Sequence, residues 1–465
     1  MMLKSRLDDP AEPEAAVGTQ SLAIARGVAR RLAEQSRAAL PEDVVTLARL
    51  TILDTVGAVL SGIQTPPALA ALAAVGDEAG PAPVLGSACT LTPRAAALVN
   101  ATAGHALDFD DCNLQMPGHV SVVIVPALFA LLAHPGAIPD EADVVRAIVA
   151  GFEAGCLFGQ TIAPGHYAAG FHATGTIGTL AAAGAVATLM GLDETTTAQS
   201  FAIAMTMAAG LKGTFGTMAK PLHAGRAAEN GLLAVRLAAA GLETYEDLFE
   251  RPQGFAATHA PAVPAPLGAA GGYLIRHNLF KFHAACYGTQ AAIDCAARAL
   301  GDVVPAEVRS VELETSETNR NTCSIGVPAS SAEARFSLAH CIGMGAAGRD
   351  TADPAAYEET LADPAVVAFR DRVRIAYRPD DEITRARLTV TLEDGTLRQV
   401  EADAAAPPAD GAAHRQRLEA KFRSLAASVI GADRAETVVA AAAGLRTAAD
   451  ARALVAETVL PAHGA

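Results

Sequence analysis

Apolar residues recur every three or four positions over residues 22–32, 44–60 and 144–158, the spacing that gathers them on one face of a helix. Helical patterning of this kind runs from about residue 19 to 265. Thr92 before Pro93 reads as an N-cap followed by proline at the first helical position, and it predicts a helix running toward Asp108. The uncharged run 173–192 has the length of a membrane span, but its Gly, Ala and Thr make it weakly apolar. Small residues at this spacing serve close helix contact in a soluble core, so no membrane is expected.

The texture changes at residues 252–275, where Pro261, Pro264, Pro266 and the Gly271-Gly272 pair mark a boundary. Beyond it, residues 308–315 and 373–377 alternate as strands, and 386–401 reads as a hairpin with Asp394-Gly395 as its turn. Helices are expected at 290–300 and 331–344, which makes this unit α+β. Helical patterning returns at 414–429 and 435–443. The fold class predicted is therefore mainly α: a large all-helical domain formed by both chain ends (19–268 and 406–465), with a smaller α+β domain (269–405) inserted. Residues 1–18 read as a flexible polar arm without a signal-peptide apolar region.

Composition sharpens this picture. The 465 residues are 51% hydrophobic but 4% aromatic, with no Trp, so the core is built from Ala, Val and Leu, as suits packed helices. A net charge of −15 with no basic stripe excludes nucleic acid as a partner. Seven cysteines without a Cys-x-x-Cys pair suggest neither a disulfide framework nor a thiolate zinc site, and fit a reducing cytoplasm.

Against that background, four patches carry chemistry. The first is His105-Ala-Leu-Asp108-Phe-Asp110-Asp111 with His119 behind it. Three carboxylates in four residues repel one another, so at least one needs a raised pKa or a cationic neighbour. A solvated helix end explains them equally well on composition. A terpene-cyclase proton donor would want aromatic walls this chain lacks, and the spacing is not diagnostic for Mg²⁺. The second patch is Gly170-Phe-His172. His119 and His172 each precede a small-residue helix, whose amide N–H groups favour an anion. The third, Lys220-Pro-Leu-His223-Ala-Gly-Arg226, groups cations at a helix start, as carboxylate binding requires, although a surface lysine is the plain alternative. In the fourth, Lys281-Phe-His-Ala-Ala-Cys286, a helix start and a nearby lysine would activate the thiol, although a buried cysteine is commoner.

In order, the motifs Gly-His-Ala-Leu-Asp-Phe-Asp-Asp, Gly-His119, Gly-Phe-His172-x-Thr-Gly-Thr, Gly-Thr-Met-x-Lys220-Pro-Leu-His-Ala-Gly-Arg, Lys281-x-x-x-x-Cys286 and Ala-Glu-Ala-Arg335-Phe-Ser resemble the MmgE/PrpD family. Its members include 2-methylcitrate dehydratase, cis-aconitate decarboxylase and iminodisuccinate epimerase. The resemblance implies an α+β lid over a helical domain, a homodimer, and chemistry without metal or organic cofactor on a small polycarboxylate. The simplest form is a hydro-lyase of the 2-methylcitrate dehydratase type; an epimerase or decarboxylase shares the scaffold. A non-catalytic carboxylate-binding protein is the rival from another class. Carried over by position, His119, Cys286, Lys281 and Asp108 are the expected catalytic residues, and His172, Lys220, His223 and Arg226 the expected substrate-binding ones. The sequence departs from the family pattern at Val120, Ala173, Cys112 and Gln290, which bear on the pocket's rim and polarity.

Overall fold

The computed structural model describes residues 23–461 apart from 135, 137, 164, 261–264, 268–271, 380, 381 and 407–409; the expected arm at 1–18 lies outside the described residues. These contain nineteen α-helices and three small sheets, a mainly α fold. The spacing read in the sequence appears directly in the first helix, Ile24–Arg37, which buries Ala25, Val28, Ala29 and Leu32. Thr92 does cap Pro93–His105, its side chain accepting from the Ala95 N–H, but the helix stops at His105 rather than reaching Asp108.

One apolar core gathers side chains from Ala25 to Ile275 together with Phe422 to Val455. Both chain ends therefore feed the same interior. Leu274 and Ile275, read in the sequence as part of the second unit, pack here. Glycine and alanine let these helices approach closely: a Cβ on Gly231 of Ala219–Ala239 would stand 2.5 Å from the Ala182 Cβ of Ile177–Leu189. Glu42–Gly62 is long and apolar enough to cross a membrane by length and composition, and 78% of its apolar window is buried inside the protein.

A second core, from Cys286 to Val390, lies under a four-stranded sheet. Its order is Val373–Arg378, Val308–Ser316, Arg385–Leu392, Leu397–Asp403, the first pair parallel and the others antiparallel. Val311, Leu313 and Thr315 alternate inward along the central strand, and the helix Tyr287–Leu300 packs against the hairpin strands. The helix expected at 331–344 is broken into Ser331–Ala334 and Leu338–Ala346, the second capped by Ser337. At the seam between the cores, Phe109 packs with Ala284, Tyr357 and Leu425. The short strands Cys112–Asn113 and Asn278–Leu279 pair antiparallel.

Candidate active site

The site begins where Pro93–His105 ends. Asp108 adopts φ 51°, in the left-handed region that Asp tolerates better than most residues, and this turn sends its carboxylate inward. Lys220, in the first turn of Ala219–Ala239, reaches Asp108 Oδ1 at 2.8 Å. Lys281 reaches the same oxygen at 2.9 Å and the Asp108 carbonyl oxygen at 2.8 Å. Burial alone would raise the Asp108 pKa, but Lys220 and Lys281, aided by His119 and His105, hold it well below the usual carboxylate range. The converse holds for Lys281: burial disfavours its charge, yet Asp108 and Asp110 overcome that and raise its pKa.

Histidines surround this pair. His105 Nδ1 is 2.8 Å from Asp110 Oδ2, and burial pushes the His105 pKa down to about 3 despite that carboxylate. His119 stands between two carboxylates, Nδ1 3.0 Å from Asp110 and Nε2 3.7 Å from Asp108. Its backbone N–H donates to Thr174 Oγ1 at 3.0 Å. The approach of those two loops needs Gly118, where a Cβ would lie 2.9 Å from the Thr174 nitrogen. His172 stacks near His105 with ring centroids 5.6 Å apart, and its Nδ1 meets His223 Nδ1 at 3.0 Å, so one ring donates and the other accepts. Burial, then the neighbouring His105 and Lys220, hold the His172 pKa well below the usual value and keep the ring neutral.

A cavity of about 790 Å³ opens onto this floor, and Asp108, His119, His172, Lys220 and Cys286 all line it. Five of the eight expected site residues therefore meet at one surface. Cys286 is the N-cap of Tyr287–Leu300. A hydrogen bond with Cys323 lowers its pKa by more than burial raises it.

Three of the expected residues do not line the cavity. Lys281 is fully buried behind Asp108 and is not among the residues that line the cavity. His223 backs His172 from outside the lining. Arg226 is half-exposed on the far side of its helix turn, paired with Glu229 at 2.5 Å, and is not brought to the cavity.

His105 and Asp110, quoted in the acidic string but not singled out, belong to the site. Beside it lies a second buried set, of which the sequence reading quoted Asp111 but not Lys421 or Asp54. Lys421, on Gly411–Ile430, donates to Asp54 Oδ1 and to the Phe109 carbonyl oxygen, both at 2.7 Å. Asp111 receives Asn278 Nδ2 at 2.6 Å and a hydrogen bond from Ser121. Burial, with Asp54 adding repulsion, pushes the Asp111 pKa up to about 7. An aspartate in the middle of the apolar run 44–60 was the available signal.

Ligand atoms of His105, Asp108, Asp110 and His119 lie within 4.8 Å of one another, a cluster of the kind that can hold a metal. Here Asp108 Oδ1 already carries two ammonium groups, whose charge opposes a cation at the same carboxylate. The set supplies its own counter-ions.

Fold and pocket together define an α-rich, two-core protein with an acid–base cluster on the floor of a cavity. The chain belongs to the MmgE/PrpD family: the N-terminal domain of that family matches residues 26–265 and its C-terminal domain residues 283–446. Among curated relatives, the cis-aconitate decarboxylase of Aspergillus terreus is 32% identical over 222 residues, 46% of this chain and 45% of that protein. This chain thus matches less than half the length of that relative. The cis-aconitate decarboxylase of Homo sapiens is 28% identical over 368 residues, 75% of this chain and 76% of that protein. The mouse protein of the same name is 26% identical over 371 residues, 75% of each chain.

Proposed function

We propose that this protein is a lyase that acts on a small di- or tricarboxylic acid through a carbanion formed beside a carboxylate, and that its first candidate reaction is decarboxylation of an unsaturated tricarboxylate of the cis-aconitate type. The observation that carries the reading is the convergence of Lys220, His119 and Cys286 on one cavity around a charged Asp108. A carbanion in water is too unstable to form at a useful rate, so a site must provide cations for the developing negative charge and a placed proton donor. Lys220 serves as the cation, steered by Asp108 and by Lys281 behind it. In decarboxylation the bond from carbon to one carboxylate breaks, CO₂ leaves, the electron pair stays on carbon, and a proton from His119 or Cys286 joins that carbon. The curated relatives named above support this choice of reaction.

Dehydration, the simplest expectation from the resemblance, is the second reading. The same groups serve it: a base takes the hydrogen alpha to a carboxylate, the pair forms the alkene, and hydroxide leaves with a proton. His119, with carboxylates near both ring nitrogens, is built to take up a proton as well as to release one.

The test is incubation of the purified protein with cis-aconitate, citrate and 2-methylcitrate in D₂O, followed by CO₂ release and NMR of the products. CO₂ with deuterium at a single product carbon is expected. Alkene absorbance from a hydroxy acid would favour the dehydratase, and deuterium in recovered, inverted substrate an epimerase. Binding without turnover, unchanged in His119→Ala and Cys286→Ala, would replace the lyase by a carboxylate-binding protein.

A further inference from the structure

We propose that Lys212 is the cation that receives a substrate's remote carboxylate, and that it thereby sets a preference for three carboxylates over two. The assignment rests on the lyase reading. Among the described residues, two ammonium groups line the cavity, those of Lys220 and Lys212. Lys220 shares its charge with Asp108 at 2.8 Å. Lys212 makes no ion pair among the described residues. Its Nζ donates to the Tyr167 carbonyl oxygen at 3.2 Å and lies 3.6 Å above the Tyr167 ring.

Those partners hold the ammonium in place without neutralising it. An ammonium carries three donors, and a carbonyl with an aromatic face leaves part of that capacity for an anion. Half-burial with no opposite charge pushes the Lys212 pKa down, which is the mark of a cation lacking its counter-ion. Glu382, which also lines the cavity, is directed at Arg385 at 3.9 Å. In a chain of net charge −15 an anionic substrate depends on such local cations.

Position supports the same role. The Lys212 backbone N–H donates to the Gly170 carbonyl oxygen at 2.8 Å, and Leu211 bridges Phe171, the residue before His172. His172 in turn donates its N–H to the Gly210 carbonyl oxygen. One backbone seam thus fixes Lys212 relative to the histidine on the cavity floor. A ligand held by Lys220 at one end and Lys212 at another is fixed at two points, which suits an extended polycarboxylate rather than a short one.

Calorimetric titration with propane-1,2,3-tricarboxylate and with methylsuccinate, which lacks only one terminal carboxylate, separates the outcomes. Wild-type protein is expected to bind the tricarboxylate more tightly. Lys212→Met should lose roughly tenfold in affinity for it while the methylsuccinate affinity changes less than about twofold, and Lys212→Arg should keep most of the preference. Thermal melting should be the same in all three proteins, because Lys212 has no carboxylate partner to strand. Equal losses for both acids, or no loss for either, would overturn the Lys212 assignment and leave the lyase reading standing. Failure of the wild-type protein to bind either acid would bring down the lyase reading, and this assignment with it.

Discussion

Asp108 holds two ammonium groups on one oxygen while its own backbone sits at a positive φ, so its work is positional as much as chemical. Removing its charge in Asp108→Asn leaves Lys281 fully buried with no hydrogen-bonded carboxylate, which should cost about 3–5 kcal/mol of stability. Turnover of the confirmed substrate should fall at least ~100-fold, because Lys220 loses the group that aims it. Arg226→Ala is the matched control: the half-exposed guanidinium lies away from the cavity and its buried partner Glu229 keeps Arg94 at 2.8 Å, so the loss should be about 0–1 kcal/mol. Denaturant melts and turnover assays on both variants check this, and an Asp108→Asn protein as stable as wild type would refute the electrostatic account. The residue types at this site were legible in sequence, because charge stands out in an alanine-rich chain. Their partnerships were not. Asp108 meets Lys220 112 positions away and Lys281 173 positions away, and no local pattern encodes separations of that size. Arg226 shows the converse: a guanidinium near the right motif, turned outward by the 3.6-residue helical period.

Among elements, those set by local physics were readable and those set by distant contacts were not. The strand pattern around 308–315 and the Asp394-Gly395 turn, where Gly395 takes φ 87°, appear as expected. The break in the helix after Ala334 has a long-range cause: the Arg335 carbonyl oxygen accepts from the Cys286 N–H at 3.0 Å, and Phe336 lines the cavity. The helix Gly411–Ile430 likewise reaches the site through a contact its sequence does not announce, Lys421 on the Phe109 carbonyl oxygen. Beneath that contact, Asp54 and Asp111 both have raised pKa values, chiefly through burial. The sign follows. Between about pH 4 and 7 the folded protein keeps a proton on Asp111 that the unfolded chain has released, so Asp111 lowers stability progressively as pH rises across that window. Asp111→Asn, which preserves the shape and can serve Ser121 and Asn278, should therefore match wild type near pH 4.5 and gain on it by up to a few kcal/mol near pH 8. Chemical denaturation at the two pH values measures the difference. A variant that instead loses stability as pH rises would mean that Asp111 works as a carboxylate, held by Lys421 and not by a shared proton.

For the molecule as a whole, buried imidazoles set the response to acid. His105 is pushed down to about 3 and His166 to about 4, both chiefly by burial, and His172 lies well below its usual value. Each stays neutral in the folded protein while its unfolded counterpart takes up a proton below about pH 6.5. Stability present above that pH is therefore lost as pH falls toward 4, by up to ~1.4 kcal/mol per pH unit for each histidine. His340, also pushed down to about 4 by burial, adds to this, while Asp54 and Asp111 oppose it in the same window, so the net slope is smaller than the histidines alone would give. The expected outcome is a melting temperature that drops steadily between pH 7 and pH 5. His166 isolates the cause, because it lies outside the cavity lining, hydrogen-bonded to the His259 carbonyl oxygen at 3.1 Å and to Thr176 Oγ1 at 2.7 Å. In His166→Gln, an amide can meet the same two partners but cannot titrate, so the slope of melting temperature against pH should become shallower while the value at pH 7 changes little. A wild-type melting temperature that holds or rises on acidification would show that the carboxyl pair outweighs the histidines. An unchanged slope in His166→Gln would show that the acid response arises elsewhere than in neutral imidazoles packed inside the helical core.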